Sequence, residues 1–317
     1  MNKTRITATI LAVLIAVCFI PPASSQTGAN VTVHFIDVGQ GDSIFIDTKN
    51  RDVLIDGGSA TASQTVIDYL DYLNITYIHL VIATHMHEDH IGGLVPILNS
   101  TITIDEILVN NQTHTSNTYN KFITLAQTHN LTVAQRGQTF ILTETANLTI
   151  VNPVQPPEFG DQNDNSIVTK LQVANTSFLF MGDAEEPAEQ SMLVSSVVSI
   201  KCDVLKVGHH GSYTATSQAF LDIASPTYAI ISAGENNSYG HPHNETIQKL
   251  LAEGVTIYGT YISGTITAST DGTTVTFQDN PQPIPEFPSN LTLTILAIAT
   301  LLTALIYRKK LQKPHKI

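Results

Sequence analysis

The segment Thr84-His85-Met86-His87-Glu88-Asp89-His90 is the strongest chemical signal in the chain. Three imidazoles and one carboxylate follow directly after an apolar run that is typical of a buried strand. In a loop, His85 and His87 can turn toward one cation while Asp89 and His90 face a second. Neutral imidazole together with carboxylate suits zinc, and also manganese or iron. The alternative interpretation is a solvated histidine cluster that binds nothing.

This segment matches the second motif, His-X-His-X-Asp-His, of the metallo-β-lactamase superfamily, which the chain resembles over nearly the whole body. Asp56, in Leu-Ile-Asp-Gly-Gly, matches the first motif, an aspartate at a strand end that orients the metal loop. Asp183, in Phe-Met-Gly-Asp, matches the carboxylate that bridges two metals, and His209-His210 matches the fifth motif. Taken singly, Asp56 or Asp183 is more often a turn residue. In this order and context they indicate function.

Within the superfamily, three phrases resemble the competence-protein ComEC group. They are 35–43 (Phe-Ile-Asp-Val-Gly-Gln-Gly-Asp-Ser), 206–212 (Lys-Val-Gly-His-His-Gly-Ser) and 239–243 (Tyr-Gly-His-Pro-His). The resemblance implies an α/β (α+β) fold, the four-layer αββα sandwich, with two divalent metal ions at one rim. It implies Zn²⁺ first, with Mn²⁺ as the alternative, and hydrolysis by a metal-bound hydroxide. Because the ComEC-like phrases associate with nuclease and phosphodiesterase members, we expect phosphodiester cleavage.

The resemblance also assigns roles to individual residues. The expected metal ligands are His85, His87, Asp89, His90, Asp183 and His210. The expected catalytic residues are Asp89, His209 and Asp56, with His209 donating a proton or a hydrogen bond to a phosphoryl oxygen. Asn165, Ser166, Ser212 and His241 are candidates for contacting the substrate or supporting the ligands.

One motif departs from the superfamily pattern. The third motif normally supplies a histidine, but the equivalent stretch here is Asn163-Asp164-Asn165-Ser166, as in the ComEC group. The ion at His85 and His87 would therefore have fewer protein ligands than its neighbour. Asn165 or Ser166 is the candidate to complete that shell, although a neutral oxygen is a poorer zinc ligand than imidazole.

The elements that must position these groups follow from the hydrophobic pattern. Strands are predicted at His79–Ala83, ahead of the histidine loop, and at Asp52–Ile55, ahead of Asp56. Helical spacing at Thr65–Leu73 predicts a helix between them, and Asp271-Gly272 predicts a hairpin near the end of the body. Cys202 precedes a core strand and is expected to be a buried apolar residue.

Both ends of the chain have the patterns of export and anchoring. Residues 1–25 predict a secretory signal peptide, 26–280 the hydrolase domain, 281–290 a Pro-rich linker, 291–307 a transmembrane helix or sorting tail, and 308–317 a basic cytoplasmic tail. Residues 285–288 (Pro-Glu-Phe-Pro) resemble the PEF-type sorting tails of archaeal surface proteins. Ten Asn-X-Ser/Thr triplets follow residue 25, which favours a glycosylated body. The expected location is the extracytoplasmic face of the membrane or the cell surface, anchored at the C-terminus.

Charge limits the partners. The chain carries 15 Lys and Arg against 27 Asp and Glu, and the stretch 26–284 carries 8 against 26, a formal charge of −18. Such a body has no basic surface for long duplex DNA. We therefore expect a small phosphodiester or a short single-stranded nucleic acid as substrate, and a membrane contact through the C-terminal helix.

Two alternatives stay open from the sequence. A lactam, amide or thioester hydrolase would use the same fold and metals, but usually with the third-motif histidine that is missing here. A non-catalytic surface protein that retains the fold is an answer of a different class. The complete set of second-, fourth- and fifth-motif residues argues against it.

Overall fold

The structure is a computed structural model that describes residues 31–285. Its strands are β1 (Val31–Phe35), β2 (Ile44–Asp47), β3 (Val53–Ile55), β4 (Tyr77–Ala83), β5 (Thr103–Val109), β6 (Asn130–Val133), β7 (Thr139–Ile141), β8 (Ala146–Asn152), β9 (Val168–Val173), β10 (Thr176–Phe180), β11 (Val204–Lys206), β12 (Tyr228–Ile231), β13 (Thr256–Gly259), β14 (Ile266–Thr270) and β15 (Val275–Phe277). Its α-helices are α1 (Ser63–Tyr72), α2 (Glu88–Ile91), α3 (Leu94–Leu98), α4 (Asn117–Ala126), α5 (Glu186–Leu193), α6 (Gln218–Ala224), α7 (Asn244–Ala252) and α8 (Thr260–Ser263).

The strands form two mixed sheets. The first has the order β15-β14-β1-β2-β3-β4-β5-β6 and the second the order β13-β12-β11-β10-β9-β8-β7. Each sheet has an antiparallel part and a parallel part. The parallel part comprises β3 to β6 in the first sheet and β10 to β13 in the second. Parallel neighbours need a crossover, and α1, α2–α3 and α4 serve the first sheet while α5, α6 and α7 serve the second.

The two sheets pack face to face and the helices cover their outer faces. On β2, Ile44 and Ile46 point into the layer between the sheets, while Phe45 points outward under the helices. Across the middle layer the rings of Phe35 and Phe180 lie 6.2 Å apart. Two further apolar clusters seal the helices onto the outer faces, one around Phe122 in the first half and one centred on residues 179–257 in the second. This arrangement confirms the predicted four-layer αββα sandwich.

The predicted helix at Thr65–Leu73 forms as α1, and the strand before the histidine loop forms as β4. The C-terminal hairpin forms as β14 and β15. Residues Pro283 and Ile284, which fall in the predicted linker, contact the second sheet: Pro283 bridges to Tyr258, and Ile284 N–H donates to the carbonyl of Ile257 at 2.8 Å. The domain boundaries beyond these contacts stay predictions.

The predicted membrane-anchored localisation is corrected here. Within residues 31–285 no helix is long and apolar enough to cross a bilayer. The predicted signal peptide (1–25), sorting tail (291–307) and basic tail (308–317) lie outside the described residues.

The thiol of Cys202 is buried, with 3% of the residue exposed, as the sequence predicts. Burial raises its pKa to about 12, so the reactive thiolate is absent near neutral pH. We expect iodoacetamide at pH 8 to leave Cys202 unmodified in the folded protein and to modify it fully in denaturant. Peptide mapping by mass spectrometry distinguishes it from Cys18. Rapid labelling of Cys202 without denaturant would contradict the packing described here.

Candidate metal centre

The predicted site residues lie on loops that leave the same rim of the sandwich. Asp56 follows β3 and the histidine loop follows β4, both in the first sheet. Asp183 follows β10 and His209-His210 follows β11, both in the second sheet. The carboxyl ends of these strands meet at one rim, so residues distant in sequence become neighbours.

Asp56 holds the histidine loop through hydrogen bonds from its buried position after β3. Its carboxylate accepts the backbone N–H of Thr84 at 2.8 Å and the Thr84 hydroxyl at 2.7 Å, and it lies 2.7 Å from His90 Nδ1. Asp56 is fully buried and has φ 57°, a left-handed conformation that aspartate tolerates better than most residues. Burial raises the pKa of its carboxyl, and the charge of His90 partly offsets this. The prediction of Asp56 as a catalytic residue is therefore corrected: it positions Thr84 and His90 and does not line the cleft.

One group of candidate ligands contains His85, His87 and Asp183, whose ligand atoms all lie within 4.8 Å of one another. His85 Nε2 lies 3.0 Å from His87 Nδ1 and 3.6 Å from Asp183 Oδ2. Burial, reinforced by the neighbouring His90, holds the pKa of His85 well below its usual value. His85 therefore presents the neutral imidazole that metals bind.

A second group contains Asp89, His90 and His210. His210 Nε2 lies 3.3 Å from Asp89 Oδ2, and Asp183 Oδ1 lies 3.2 Å from His90 Nε2 and 3.4 Å from His210 Nε2. Asp183 thus directs one carboxylate oxygen to each group, as a bridging ligand would. All six predicted ligands come together in the structure.

Buried polar atoms without partners test whether these residues fit a metal. His90 Nε2, His210 Nε2 and Asp183 Oδ1 are buried and form no well-oriented hydrogen bond, although the two nitrogens lie 3.2 and 3.4 Å from that oxygen. Such orphaned atoms are costly in a protein interior, and a divalent cation would satisfy all three. The nitrogen and oxygen donor set suits zinc or manganese. The residues present fit a pair of metal ions.

The carboxylates control the charge on these rings. Burial lowers the pKa of His90 and of His210, but Asp183 and the other carboxylates overcome it and raise both well above the ordinary value. Burial likewise opposes the ionisation of Asp183, but the two imidazoles hold its pKa well below its usual range. A proton and a metal cation compete for the same lone pairs on His90 Nε2 and His210 Nε2. The surrounding carboxylates favour either of them, because both bring positive charge to these nitrogens.

His210 is oriented by a buried ion pair that the sequence interpretation missed. Its Nδ1 donates to the carbonyl of Ser232 at 3.0 Å and lies 3.3 Å from Asp42 Oδ1. The other Asp42 oxygen accepts a hydrogen bond from Lys206 Nζ at 2.7 Å, and both side chains are almost fully buried. Burial opposes the ionisation of Asp42, but Lys206 and His210 lower its pKa. The signal in the sequence was the lysine that ends an otherwise apolar strand directly before the fifth motif.

His209 faces the cleft and has a carboxylate behind it. Its Nδ1 lies 2.6 Å from Glu185 Oε1, which also accepts the hydroxyl of Thr214 at 2.6 Å, and its Nε2 lies 3.7 Å from Asp183 Oδ2. Burial lowers the pKa of His209, but the hydrogen bond with Glu185 outweighs it and raises that pKa above its usual value. Glu185 was not predicted, although it stands two residues after Asp183 in the fourth motif.

Of the four residues predicted as auxiliary, three do not line the cleft, whereas the fourth, His241, does. Ser166 Oγ lies 3.3 Å from His85 Nδ1 and supports that ring. Asn165 is corrected: its amide donates to backbone carbonyls of its own loop at 2.6 and 2.7 Å and is not directed at the metal site. Ser212 does not line the cleft: its hydroxyl is hydrogen-bonded to Thr214 at 2.7 Å, and Thr214 donates to the Glu185 carboxylate behind His209.

The candidate ligands open into a cleft of about 720 Å³. Its floor includes His87, Asp89, Asp183 and His210, and its walls include His209, the predicted His241, and also Asn163 and Tyr239. Asn163 is the third-motif residue that lines the cleft, and its Oδ1 is buried without a partner. Burial and the nearby His209 and His210 lower the pKa of His241 to about 4, so this ring is neutral.

The family model of the metallo-β-lactamase superfamily matches residues 36–235, which include every ligand described above. The chain belongs to the metallo-β-lactamase superfamily. Sequence, fold and the convergence of the motif residues agree on this family.

Relatives of the chain within this superfamily include competence proteins, as the ComEC-like phrases predict. The chain is 29% identical to ComE operon protein 3 of Bacillus subtilis over 286 residues, and 27% identical to competence protein ComA of Neisseria gonorrhoeae over 251. It is 30% identical to recombination protein 2 of Haemophilus influenzae over 238 residues. These alignments cover 84%, 79% and 74% of this chain but only 36%, 33% and 28% of the relatives. The chain thus spans about a third of their length.

Among solved structures, the metallo-β-lactamase fold protein YhfI of Bacillus subtilis aligns with a TM-score of 0.49 and 11% identity, covering 76% of this chain and 100% of that one. The diiron β-hydroxylase CmlA of Streptomyces venezuelae aligns with a TM-score of 0.48 and 12% identity, covering 76% of this chain and 54% of that one.

Ligand counting predicts that the two ions are held unequally. Asp89, His90 and His210 share Asp183 with a group that otherwise has only His85 and His87. We expect dialysis against a mild chelator to leave about one metal per chain, because the group of Asp89, His90 and His210 has one more protein ligand than the group of His85 and His87.

Elemental analysis by mass spectrometry checks this stoichiometry. The Asp183→Asn variant should lose metal from both positions, whereas Asp222→Asn, at an exposed aspartate of α6, should match the parent protein. Two equally retained ions after dialysis, or none at any stage, would show the ligand assignment to be wrong.

Proposed function

We propose that this chain is a metal-dependent hydrolase that cleaves phosphodiesters, with a small phosphodiester or a short single-stranded nucleic acid as substrate. The observation that carries the proposal is the convergence of His90 Nε2, His210 Nε2 and Asp183 Oδ1, buried and unpartnered, beneath an open cleft. An inert scaffold would gain nothing by keeping these atoms unsatisfied.

The proposed division of labour follows from the geometry. His85 and His87 would hold one cation, Asp89, His90 and His210 the other, and Asp183 both. When bound, the ions supply an activated water nucleophile and offset the negative charge that develops in the reaction. The chain's contribution is to fix the ligands through Asp56, Ser166, Asp42 and Ser232, which contact the imidazole nitrogens on the far side from the cleft.

His209 is the group proposed to contact the substrate. Glu185 accepts from Nδ1, which leaves Nε2 pointing toward Asp183 at the cleft floor. In that orientation Nε2–H can donate a hydrogen bond to a phosphoryl oxygen beside the cations. A preoriented donor of this kind stabilises charge without reorganisation during the reaction.

Relatives and charge favour phosphodiesters over lactams. The aligned relatives include competence and recombination proteins, names that point to nucleic acids. The acidic body repels long duplexes, so short or single-stranded substrates fit better. The absence of a third-motif histidine weighs against a lactamase, which usually has it.

A substrate panel tests the reaction class. With Zn²⁺ or Mn²⁺, the protein should hydrolyse bis-p-nitrophenyl phosphate and single-stranded DNA and leave nitrocefin and a thioester intact. Asp183→Asn is the negative control, because it removes the shared ligand. Cleavage of nitrocefin or the thioester, with inert phosphodiesters, would move the chain to the alternative hydrolase class. No turnover by metal-loaded protein would favour a non-catalytic role.

Substitution of His209 separates substrate contact from metal binding. We expect His209→Ala to lower kcat on bis-p-nitrophenyl phosphate by about 100-fold, the usual loss for one charge-stabilising donor. Glu185→Gln should lower it on the order of tenfold, because it only orients His209. Metal content should stay unchanged in both variants, and His129→Ala, outside the cleft, serves as the control. Full activity of His209→Ala would remove His209 from the mechanism.

A further inference from the structure

A large aromatic side chain stands exposed on the rim of the metal cleft. Tyr239 is 65% exposed, and its ring stacks on His241 with centroids 5.7 Å apart and an interplanar angle of 23°. His241 lies in turn 5.3 Å from His209 and 6.2 Å from His210, measured between ring centroids. A row of aromatic rings therefore leads from solvent down to the candidate ligands: Tyr239 is stacked on His241, and His241 is edge-on to His209 at 74°.

The loop that carries this surface is held in place by one side chain. Asn237 Oδ1 accepts the backbone N–H groups of Tyr239 and His241, each at 3.1 Å, while its amide donates to the carbonyl of Gly234 at 2.9 Å. After His241 the chain packs against Gly211. Pro242 lies directly beside this glycine, and the carbonyl of Gly211 accepts the backbone N–H of His243 at 2.9 Å. The backbone that carries the exposed ring is thus held in place before any ligand arrives, which lowers the entropic cost of binding.

The residues that line the cleft offer few positive charges to a phosphate backbone, so an aromatic side chain is a candidate source of binding affinity. Among the described residues that line it there is no lysine or arginine, and Glu88 and Asp89 are acidic. A phosphate backbone therefore receives no side-chain cation here beyond the histidines. Affinity for a nucleic-acid fragment must come from the metal ions and from its uncharged parts, of which the flat base is the largest.

We propose that Tyr239 and His241 form a stacking shelf for a nucleobase of the substrate, next to the phosphodiester held at the metal centre. The substrate class is then a nucleotide phosphodiester and not an arbitrary phosphate ester. The position of the phosphate rests on the proposed function. Every base has a flat π-face, so the shelf accepts bases without strong sequence preference.

Binding of base-containing and abasic dinucleotides tests the shelf. The probe is a slowly hydrolysed phosphorothioate dinucleotide carrying 2-aminopurine, whose fluorescence is quenched by stacking and is free of tryptophan background, since the chain has no Trp. Competitors are a thymidine dinucleotide and its abasic counterpart, with the full chain and Zn²⁺. We expect the abasic competitor to bind about tenfold more weakly, within the range for loss of one base–aromatic stack.

Variants at the rim give the specific readout. Tyr239→Ala should reduce the quenching and bring the preference for the base toward unity, and Tyr239→Phe should restore both. Tyr213→Ala is the matched control: Tyr213 is 62% exposed and packs edge-on against His243, but it does not line the cleft.

Two results would overturn the shelf: equal competition by the abasic dinucleotide, or an unchanged base preference in Tyr239→Ala. Failure of the proposed function has a different signature. Base-dependent binding that depends on Tyr239, without hydrolysis of the thymidine dinucleotide, would support the shelf and contradict the phosphodiesterase. Hydrolysis without any base preference would do the reverse.

Discussion

The carboxylate of Asp183 is the interaction on which the rest of this centre depends. It is 2% exposed, and a buried carboxylate is stable only where positive charge or hydrogen bonds surround it. One oxygen faces His90 and His210 and the other faces His85, so a single side chain contacts both ligand groups. Its negative charge raises the pKa of His90 and of His210. Its backbone N–H donates to Ser166 Oγ at 3.2 Å, which ties the bridge to the support of His85. The two sheets must pack in one register for these contacts to form together.

The imidazole nitrogens that point away from the metal centre are also held by specific contacts. Each imidazole that faces the centre from the interior uses its other nitrogen on a fixed oxygen, which selects the tautomer and the ring plane. The pairs are His90 with Asp56, His210 with Ser232 and Asp42, His209 with Glu185, and His85 with Thr84 and Ser166. Removing a partner while keeping the ring would leave a buried nitrogen unsatisfied, so the outer oxygens and the ligands form one unit.

The candidate metal ligands were predicted from the sequence more completely than the residues that orient them. His85, Asp183 and the other ligands stand in short motifs at strand ends, where local pattern and position coincide. Lys206 stands out locally as a lysine at the end of an apolar strand, but its partner Asp42 is 164 residues away in sequence. Glu185 gains its role only when the fold places it beside His209. Asn165 was predicted near the metal because it lies in the stretch equivalent to the third motif, but its amide donates to backbone carbonyls of its own loop.

The secondary-structure elements, too, were predicted only in part. The middle strands and the covering helices were predictable, because their apolar residues repeat at the spacing of a buried face. The edge strands β6, β7 and β13 were missed, since they are short and carry exposed or half-buried residues, whereas the edge strand β15 was predicted from the turn at Asp271-Gly272.

The pairing of β1 with β14 has a consequence for how the chain folds. Val31 lies opposite Thr270, so β1, the first strand among residues 31–285, is paired on that side with a segment near the end of the described chain. Between them lie all the candidate metal ligands. During synthesis β1 keeps an open edge until almost the whole body has emerged, and closing so long a loop is slow. The first sheet is therefore completed late, and a nascent chain exposes a strand edge to other chains for most of its synthesis.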